Sequence, residues 1–165
     1  MGTDFDDLIA ANSTYAETTD VSGFDGVARA GVAIVTCMDS RIQPLEMVGL
    51  GLGDAKIVRN PGGRVTAMAL EALVLGVHLL GVERILIVPH TRCAVASNTE
   101  PQLRQRVEDS AGEDTSWMGL HVVSDQYEAL ADDVQKVRTP PLIPDTVKVG
   151  GFLYDVDTGL LERQF

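Results

Sequence analysis

The sequence predicts a three-layer α/β fold, in which a mostly parallel β-sheet is flanked by helices and carries an antiparallel hairpin strand at its C-terminal end. Short apolar runs of strand length recur along the chain, segments with helical spacing separate them, and the turn signal Asp157-Thr158-Gly159 lies near the end. Strands that alternate with helices form a parallel sheet covered on both faces. A chain of 165 residues fits one domain, expected over 1–165 with an N-terminal helical arm at about 1–20.

The first half of the chain predicts the helical arm and two strands. Apolar residues at helical spacing in Asp4–Glu17 indicate the N-terminal helix. The run Val32–Thr36 is apolar and rich in β-branched residues, which favours a buried central strand. Pro44 suits the first turn of a helix that continues to Gly49. Ala55–Arg59 is the second predicted strand.

The second half predicts the remaining strands and the helices that cover them. Thr66 and Gly81 bracket a long helical segment as an N-terminal cap and a stop signal. Residues 124–125, with Glu128 just after them, form a capping-box pattern before another helical segment. Residues 121–123 are either a short strand or an extended link. The elements are predicted at helix Ala67–Leu80, strand Arg84–Val88, the helix that ends at Arg138, strand Val147–Val156 and hairpin strand Leu160–Gln164.

Several residues are predicted to pack rather than to bind. His78 lies on an apolar helix face, which is typical of a histidine packed in the core. Leu103 and Val107 are expected to face inward from a short helix. Trp117 and Tyr127 are interpreted as packing groups.

The charge balance excludes two classes of partner. The 24 acidic and 13 basic residues give a net charge of −11, whereas nucleic acids and anionic membranes require clustered Lys and Arg.

The longest apolar stretch, Ala67–Gly81, contains Glu71 and His78 and is too short and too polar to span a bilayer. Residues 1–20 are acidic and do not resemble a secretory signal. A cytoplasmic protein with reduced thiols is therefore expected.

Two short motifs contain both cysteines of the chain. They are Cys37-Met38-Asp39-Ser40-Arg41 and His90-Thr91-Arg92-Cys93, and each follows a predicted strand. In parallel sheets, ligands bind outside the carboxyl ends of the strands, near a switch in strand order. The two motifs are therefore expected to form one site.

Cys37, His90 and Cys93 offer two thiolates and one imidazole, the donor set of a catalytic zinc site with an open fourth position. Zinc lowers the pKa of a water in that position toward neutrality, so the water supplies hydroxide as a nucleophile. Three alternatives remain. The cysteines can form a disulfide, which a reducing compartment disfavours, or each can be a small buried hydrophobe. Metal-free Cys–His hydrolysis is the third, and it leaves the second cysteine unexplained.

Asp39 and Arg41 are candidates for the catalytic pair. Asp39 can accept a hydrogen bond from the zinc-bound hydroxide, and Arg41 can hold Asp39 through a bidentate ion pair. Without that clamp, Asp39 is free to become the fourth zinc ligand, so it is a candidate for both roles. The alternative is an ordinary capping and salt-bridge pair.

These residues resemble the β-class carbonic anhydrases. That family has a Cys-x-Asp-x-Arg motif after its first strand and a His-x-x-Cys motif after its third, and the segment 57–63 is similar to its Arg-Asn segment, whose glycine-rich turn lines the pocket. The resemblance implies zinc-dependent, reversible hydration of carbon dioxide to bicarbonate. It implies Cys37, His90 and Cys93 as zinc ligands, with Asp39 and Arg41 as the catalytic dyad. It also implies a homodimer or a dimer of dimers with the cleft at the subunit interface, and substrate binding at Gly62 and Gly63.

Three positions beside the ligands differ from the family pattern. Ala94 replaces a usual glycine, Arg92 replaces a small or acidic residue, and Pro89 precedes the histidine. All three ligands remain. Two other functions are compatible with the same site: hydrolysis of carbonyl sulfide or carbon disulfide, and zinc binding or bicarbonate sensing with little turnover.

Overall fold

A five-stranded sheet forms the centre of the computed structural model, which describes residues 5–139 and 141–165. The strands across the sheet follow the order 2-1-3-4-5, and all neighbours are parallel except the last pair. The predicted α/β fold with a C-terminal antiparallel strand is therefore confirmed. The strands are β1 (Val32–Cys37), β2 (Ala55–Asn60), β3 (Arg84–Val88), β4 (Lys148–Tyr154) and β5 (Leu161–Arg163).

The strand order reverses at β1, because β2 lies on one side of it and β3 on the other. β1 and β3 pair in parallel register, with Val35 opposite Ile87 and Thr36 opposite Val88. Their carboxyl ends therefore lie side by side, at the kind of switch point where open parallel sheets bind ligands. The two cysteine motifs follow these two strand ends, so the topology brings them together.

Both faces of β1 are buried, because its alternate side chains enter two apolar clusters. Ala33 and Val35 belong to the cluster that the long helices cover. Val32 and Ile34 belong to a second cluster on the other face, which also contains Ile42 and both cysteines. A strand buried on both faces reads as a continuous apolar run, which explains why β1 was predictable.

Helices accompany the sheet at four places in the described residues: α1 (Asp6–Thr18), α2 (Ala67–Leu79), α3 (Glu100–Ala111) and α4 (Gln126–Arg138). The predicted caps are confirmed, because Thr66 accepts a hydrogen bond from the Ala69 N–H and Asp125 accepts one from the Glu128 N–H. Residues 121–123 are an extended link. Among the described residues, no helix combines the length and the apolar character needed to cross a membrane.

Two helix predictions need correction. The helix expected from Pro44 to Gly49 is only a 3₁₀ turn at Glu46–Val48, and it ends as predicted at Gly49, which adopts a left-handed conformation (φ 70°). The N-terminal helix begins at Asp6, and Asp4 lies outside the described residues.

Three packing predictions were wrong. His78 is exposed, and its Nε2 lies 2.6 Å from the Leu142 carbonyl oxygen, because the core face of α2 runs through Ala69, Leu73 and Gly76. Trp117 is 80% exposed. Val107 is also exposed, whereas Leu103 is partly buried.

Candidate metal centre

Three side chains converge where β1 and β3 end. Cys37 is the last residue of β1, and His90 follows β3 after a single proline. Cys93 lies one turn later. The two sulfur atoms and one histidine nitrogen all lie within 4.8 Å of one another, and all three side chains are buried. Among the described residues, this is the group of His, Cys, Asp and Glu side chains that can hold a metal ion.

The spacing of the donor atoms suits a tetrahedral ion. The two Sγ atoms are 4.0 Å apart. Zinc–sulfur bonds of about 2.3 Å at tetrahedral angles place two thiolates about 3.8 Å apart. The same separation is far longer than a disulfide bond, and both cysteines are free.

His90 is prepared to be a ligand. It is fully buried, and its Nδ1 lies 2.8 Å from the Thr91 carbonyl oxygen. That contact places the ring proton on Nδ1 and leaves the lone pair on Nε2. Nε2 has no hydrogen-bond partner among the described residues, although an unpartnered buried polar atom costs about 1–3 kcal/mol. A metal ion in the cluster satisfies this atom, so the donor set fits zinc.

The pKa values of the two cysteines are shifted in opposite directions. The hydrogen bond from the Cys93 thiol lowers the pKa of Cys37 against the opposing effect of burial, and contacts from His90 and the Gly62 N–H add to this. The same hydrogen bond, together with burial, raises the pKa of Cys93. Zinc binds cysteine as the thiolate, so metal binding releases the proton that the two sulfurs share.

Asp39 and Arg41 form a bidentate pair beside the cluster. Arg41 Nε and Nη2 lie 2.9 and 2.7 Å from the two carboxylate oxygens of Asp39, and the Arg41 backbone N–H donates to Oδ1 at 3.0 Å. These bonds from Arg41 hold the pKa of Asp39 far below its usual range, and Asp39 raises the pKa of Arg41. Asp39 Oδ2 lies 3.8 Å from His90 Nε2, while Asp39 stays outside the three-residue cluster.

Arg59, on β2, fixes the backbone of the first turn. Its Nε donates to the Cys37 carbonyl at 2.9 Å and its Nη2 donates to the Asp39 carbonyl at 2.6 Å. Both carbonyls flank the exposed Met38, so the turn is held at the two positions that carry functional side chains.

Gly62 and Gly63 lie directly against Cys37. The Gly62 N–H donates to Cys37 Sγ at 3.3 Å. Both glycines have positive φ angles, and a Cβ on Gly63 would lie 3.0 Å from the Cys37 nitrogen. Only glycine allows this approach. Their predicted role in substrate binding remains a prediction.

The second turn is held from the C-terminal hairpin and from α4. The Thr91 N–H donates to the Tyr154 carbonyl at 2.9 Å, and the Val156 N–H donates to Thr91 Oγ1 at 3.1 Å. Gln126 Nε2 donates to the His90 carbonyl at 2.9 Å. Arg92 has a positive φ angle of 55°, and all other described residues with a positive φ angle are glycines. Its side chain pairs with Asp157 at 2.5 Å.

Two of the three departures from the family pattern, Ala94 and Arg92, do not obstruct the cluster. Ala94 is exposed and does not have a positive φ angle, so its methyl group is accommodated without crowding the donor atoms. The Arg92 side chain points to solvent and is 60% exposed. Its carbonyl lies 3.4 Å from Arg41 Nη2, which adds a third acceptor for that guanidinium.

Sequence reasoning assigned no role to three supporting side chains: Arg59, Gln126 and Asp133. Arg59 lies in the segment 57–63 that is similar to the Arg-Asn segment of the family. Asp133 also had a readable signal, because it occupies a position on the apolar stripe of α4 with Leu130, Val134 and Val137. An acidic residue on a buried stripe requires partners, which is a reason to search for a role.

The comparisons with known proteins agree with this geometry. A sequence profile of the family described as carbonic anhydrase matches residues 32–161. Beta-carbonic anhydrase 1 of Mycobacterium tuberculosis is 30% identical over 162 residues, which are 96% of each chain. A carbonic anhydrase structure from Streptococcus mutans has a TM-score of 0.87 at 33% identity and covers 99% of both chains. A carbon disulfide hydrolase of Acidithiobacillus thiooxidans is 28% identical over 78% of this chain and 74% of its own length.

Proposed function

The chain belongs to the β-class carbonic anhydrase family and is an enzyme that hydrates carbon dioxide, and from this premise we propose the roles of its site residues. Cys37, His90 and Cys93 hold a zinc ion. Asp39 and Arg41 form the catalytic pair. The observation that carries the zinc assignment is the buried Nε2 of His90, which lacks a partner and faces two sulfurs at tetrahedral spacing.

When bound, zinc supplies an acidified water that attacks carbon dioxide near neutral pH. Asp39 has the position and the charge to orient that nucleophile. Because its pKa is strongly lowered, Asp39 stays ionised and can only accept hydrogen bonds. It would therefore accept a hydrogen bond from the nucleophile and so direct a lone pair of the nucleophile toward the substrate.

Arg41 keeps Asp39 in this role. Its two bonds to the carboxylate occupy both oxygens, so moving Asp39 onto the metal requires breaking a bidentate pair. The Arg92 carbonyl gives Arg41 a second anchor on the opposite turn. Occupation of the fourth metal position by Asp39 remains a proposal for an inactive state.

Substrate binding is proposed at the turn of Gly62 and Gly63. Both residues are buried beside Cys37 and present backbone rather than side chains to the site. The two glycines line a small cavity together with Pro89, Cys93 and Val95, which supports a small substrate such as carbon dioxide.

A homodimer is proposed, either alone or within a dimer of dimers. No residue of α1 is buried, although the segment carries Phe5, Leu8 and Ile9, which are 74%, 61% and 62% exposed. A second copy of the chain is the partner that covers these apolar residues. Leu8→Ala with Ile9→Ala should lower the mass of the particle in light scattering, whereas Asn12→Ala on the same helix should not. An unchanged mass in the double variant contradicts a role of α1 in assembly.

A cytoplasmic location is proposed from the cysteine chemistry. Two free thiols that serve as metal ligands are best preserved in a reducing compartment.

Metal analysis tests the ligand assignment. His90→Ala and Cys37→Ser should both purify without zinc, while His78→Ala, which changes an exposed histidine of α2, should keep one zinc per chain. Normal zinc in His90→Ala contradicts the assignment. Parallel assays with carbon dioxide and carbon disulfide test the substrate, since one relative is a carbon disulfide hydrolase. Faster turnover of carbon disulfide than of carbon dioxide contradicts the proposed physiological substrate.

A further inference from the structure

Asp133 lies on α4, outside the metal cluster, and is 1% exposed. Its carboxylate accepts four hydrogen bonds: from Arg64 Nε at 2.5 Å, Arg64 Nη2 at 3.2 Å, the Val65 N–H at 3.1 Å and Lys136 Nζ at 2.8 Å. We propose that Asp133 is a positioning residue that holds the Gly62 N–H against the Cys37 sulfur. This inference rests on the proposed role of Cys37 as a metal ligand.

The first step is the burial of a charge where an apolar side chain would suffice. Leu130, Val134 and Val137 occupy the same face of α4 and already attach the helix to the core. Burial alone would raise the pKa of Asp133, but the hydrogen bonds from Arg64, Lys136 and the Val65 N–H hold that pKa below its usual range. The carboxylate is therefore ionised and fully paired, a costly arrangement for mere anchoring.

The second step is the location of the residues that Asp133 binds. Its partners outside α4 are Arg64 and Val65, the two residues that directly follow Gly62 and Gly63. Three of the four bonds thus tie α4 to the end of the glycine turn. Lys136 belongs to α4 itself and is half-exposed, so it contributes charge but no attachment.

The third step is the closure of the turn. Asn60 Oδ1 accepts a hydrogen bond from the Arg64 N–H at 2.8 Å, and Asn60 Nδ2 donates to the Arg64 carbonyl at 2.7 Å. Asn60 is the last residue of β2, where it pairs with Cys37 of β1. The turn is therefore fixed to the sheet at one end and to Asp133 at the other.

The last step reaches the metal site. Within this closed turn, the Gly62 N–H donates to Cys37 Sγ at 3.3 Å. A hydrogen bond to a thiolate withdraws electron density from sulfur and reduces its donor strength toward a metal. The same hydrogen bond also fixes the direction of the Cys37 sulfur, and this orienting effect outweighs the lower donor strength, because removing groups that orient a metal ligand costs about tenfold to 100-fold in metal affinity.

Cobalt substitution reads this effect at the sulfur. In the full-length chain loaded with Co²⁺, the thiolate-to-cobalt charge-transfer band reports the electron density on the cysteine ligands. Asp133→Asn should move this band to longer wavelength, because Cys37 loses part of its hydrogen bond, and should weaken zinc binding by about tenfold or more. Asp132→Asn, which changes the exposed neighbour on α4, should leave both unchanged. Parent-like spectra for folded Asp133→Asn overturn the proposal.

Two further variants separate positioning from general stability. Val137→Ala removes a fully buried side chain of α4 and should lower stability without moving the cobalt band. Arg64→Gln should shift the band as Asp133→Asn does, and the double variant should shift it no further than either single variant. If Asp133→Asn fails to fold, an unshifted band in Arg64→Gln overturns the proposal by itself. Failure of the parent chain to bind Co²⁺ instead contradicts the metal assignment.

Discussion

The two turns that supply the metal-site residues are held in different ways. Side chains fix the turn after β1: Arg59 binds two of its carbonyls, Arg41 clamps Asp39, and the Gly62 N–H contacts Cys37 Sγ. The turn after β3 depends mainly on backbone contacts with the C-terminal hairpin, around Tyr154 and Val156. Among the described residues, Gln126 is the one α4 side chain that donates a hydrogen bond to the backbone of this second turn, at the His90 carbonyl.

This difference indicates a division of labour. The first turn carries one proposed metal ligand together with the proposed catalytic pair, and charged hydrogen bonds set the position of these side chains. The second turn carries the other two proposed ligands and requires mainly a stable backbone. Changes in the supports of the first turn should therefore alter turnover, whereas changes in the supports of the second turn, with His90 and Cys93 kept, should alter stability and leave turnover nearly intact.

The largest effect is expected from Asp39→Ala. Zinc content should stay at the parent level, because three ligands remain, while turnover should fall about 100-fold or more through loss of the group that orients the nucleophile. Asp157→Ala, which removes the partner of Arg92 on the second turn, is the matched control and should keep turnover within about twofold. Equal losses in the two variants would remove the distinction between the turns.

Asp133→Asn should lower the free energy of unfolding of the metal-free chain by about 2 kcal/mol at pH 7, because it weakens a buried, fully paired carboxylate. The folded-state pKa of Asp133 is lowered, so its contribution exists above the unfolded pKa of about 3.9 and is lost as the pH falls below that value. Urea unfolding at pH 7 and at pH 3.5 should show that the free energies of unfolding of the parent chain and of Asp133→Asn differ less at the lower pH. A constant difference would indicate that charge is not involved.

Arg59→Ala and Gln126→Ala compare one side-chain support from each turn. Arg59→Ala removes two hydrogen bonds and should lower the free energy of unfolding by about 1.5 kcal/mol. Turnover should fall at least tenfold, because the backbone carbonyls of Cys37 and Asp39 are no longer fixed. Gln126→Ala removes one hydrogen bond and should lower the free energy of unfolding by about 1 kcal/mol. Its turnover should stay within twofold of the parent value. Urea unfolding combined with stopped-flow assays measures both. A larger turnover loss in Gln126→Ala would reverse the comparison.

The smallest effect is expected at Arg92. Its left-handed backbone favours glycine, so Arg92→Gly should be more stable than Arg92→Ala by about 1 kcal/mol, with parent-like turnover in both variants. Loss of the exposed ion pair with Asp157 should contribute less than about 1 kcal/mol in either case. Lower turnover in Arg92→Gly alone would show that the strained backbone has a functional role.

The sheet was predictable from sequence because its central strands are buried on both faces and read as apolar runs. β1, β2 and β3 lie within one residue of their predicted bounds. The helices were less predictable where a short segment forms only a 3₁₀ turn, as at Glu46–Val48, or where a helix is apolar on all sides, as α2 is around His78. The capping box of Thr99 and Gln102 had a readable signature that the prediction missed.

The residues of the site also differ in how far the sequence predicts them. Cys37, His90 and Cys93 were recognisable because their residue types and spacing match a donor set, and the topology then placed them together. Arg59, Gln126 and Asp133 come from β2 and α4, and their contacts depend on how distant elements pack. Local patterns do not encode such contacts, although the acidic residue on the apolar stripe of α4 was a visible clue.

Stopped-flow hydration of carbon dioxide by the zinc-loaded chain, measured near pH 7 and above pH 8 alongside zinc-loaded Asp39→Ala, tests the central claim most directly. The account predicts fast turnover by the parent chain and at least a 100-fold loss in Asp39→Ala at equal zinc content. Parent-like turnover in Asp39→Ala, or no turnover by the parent chain at either pH with zinc bound, would contradict it.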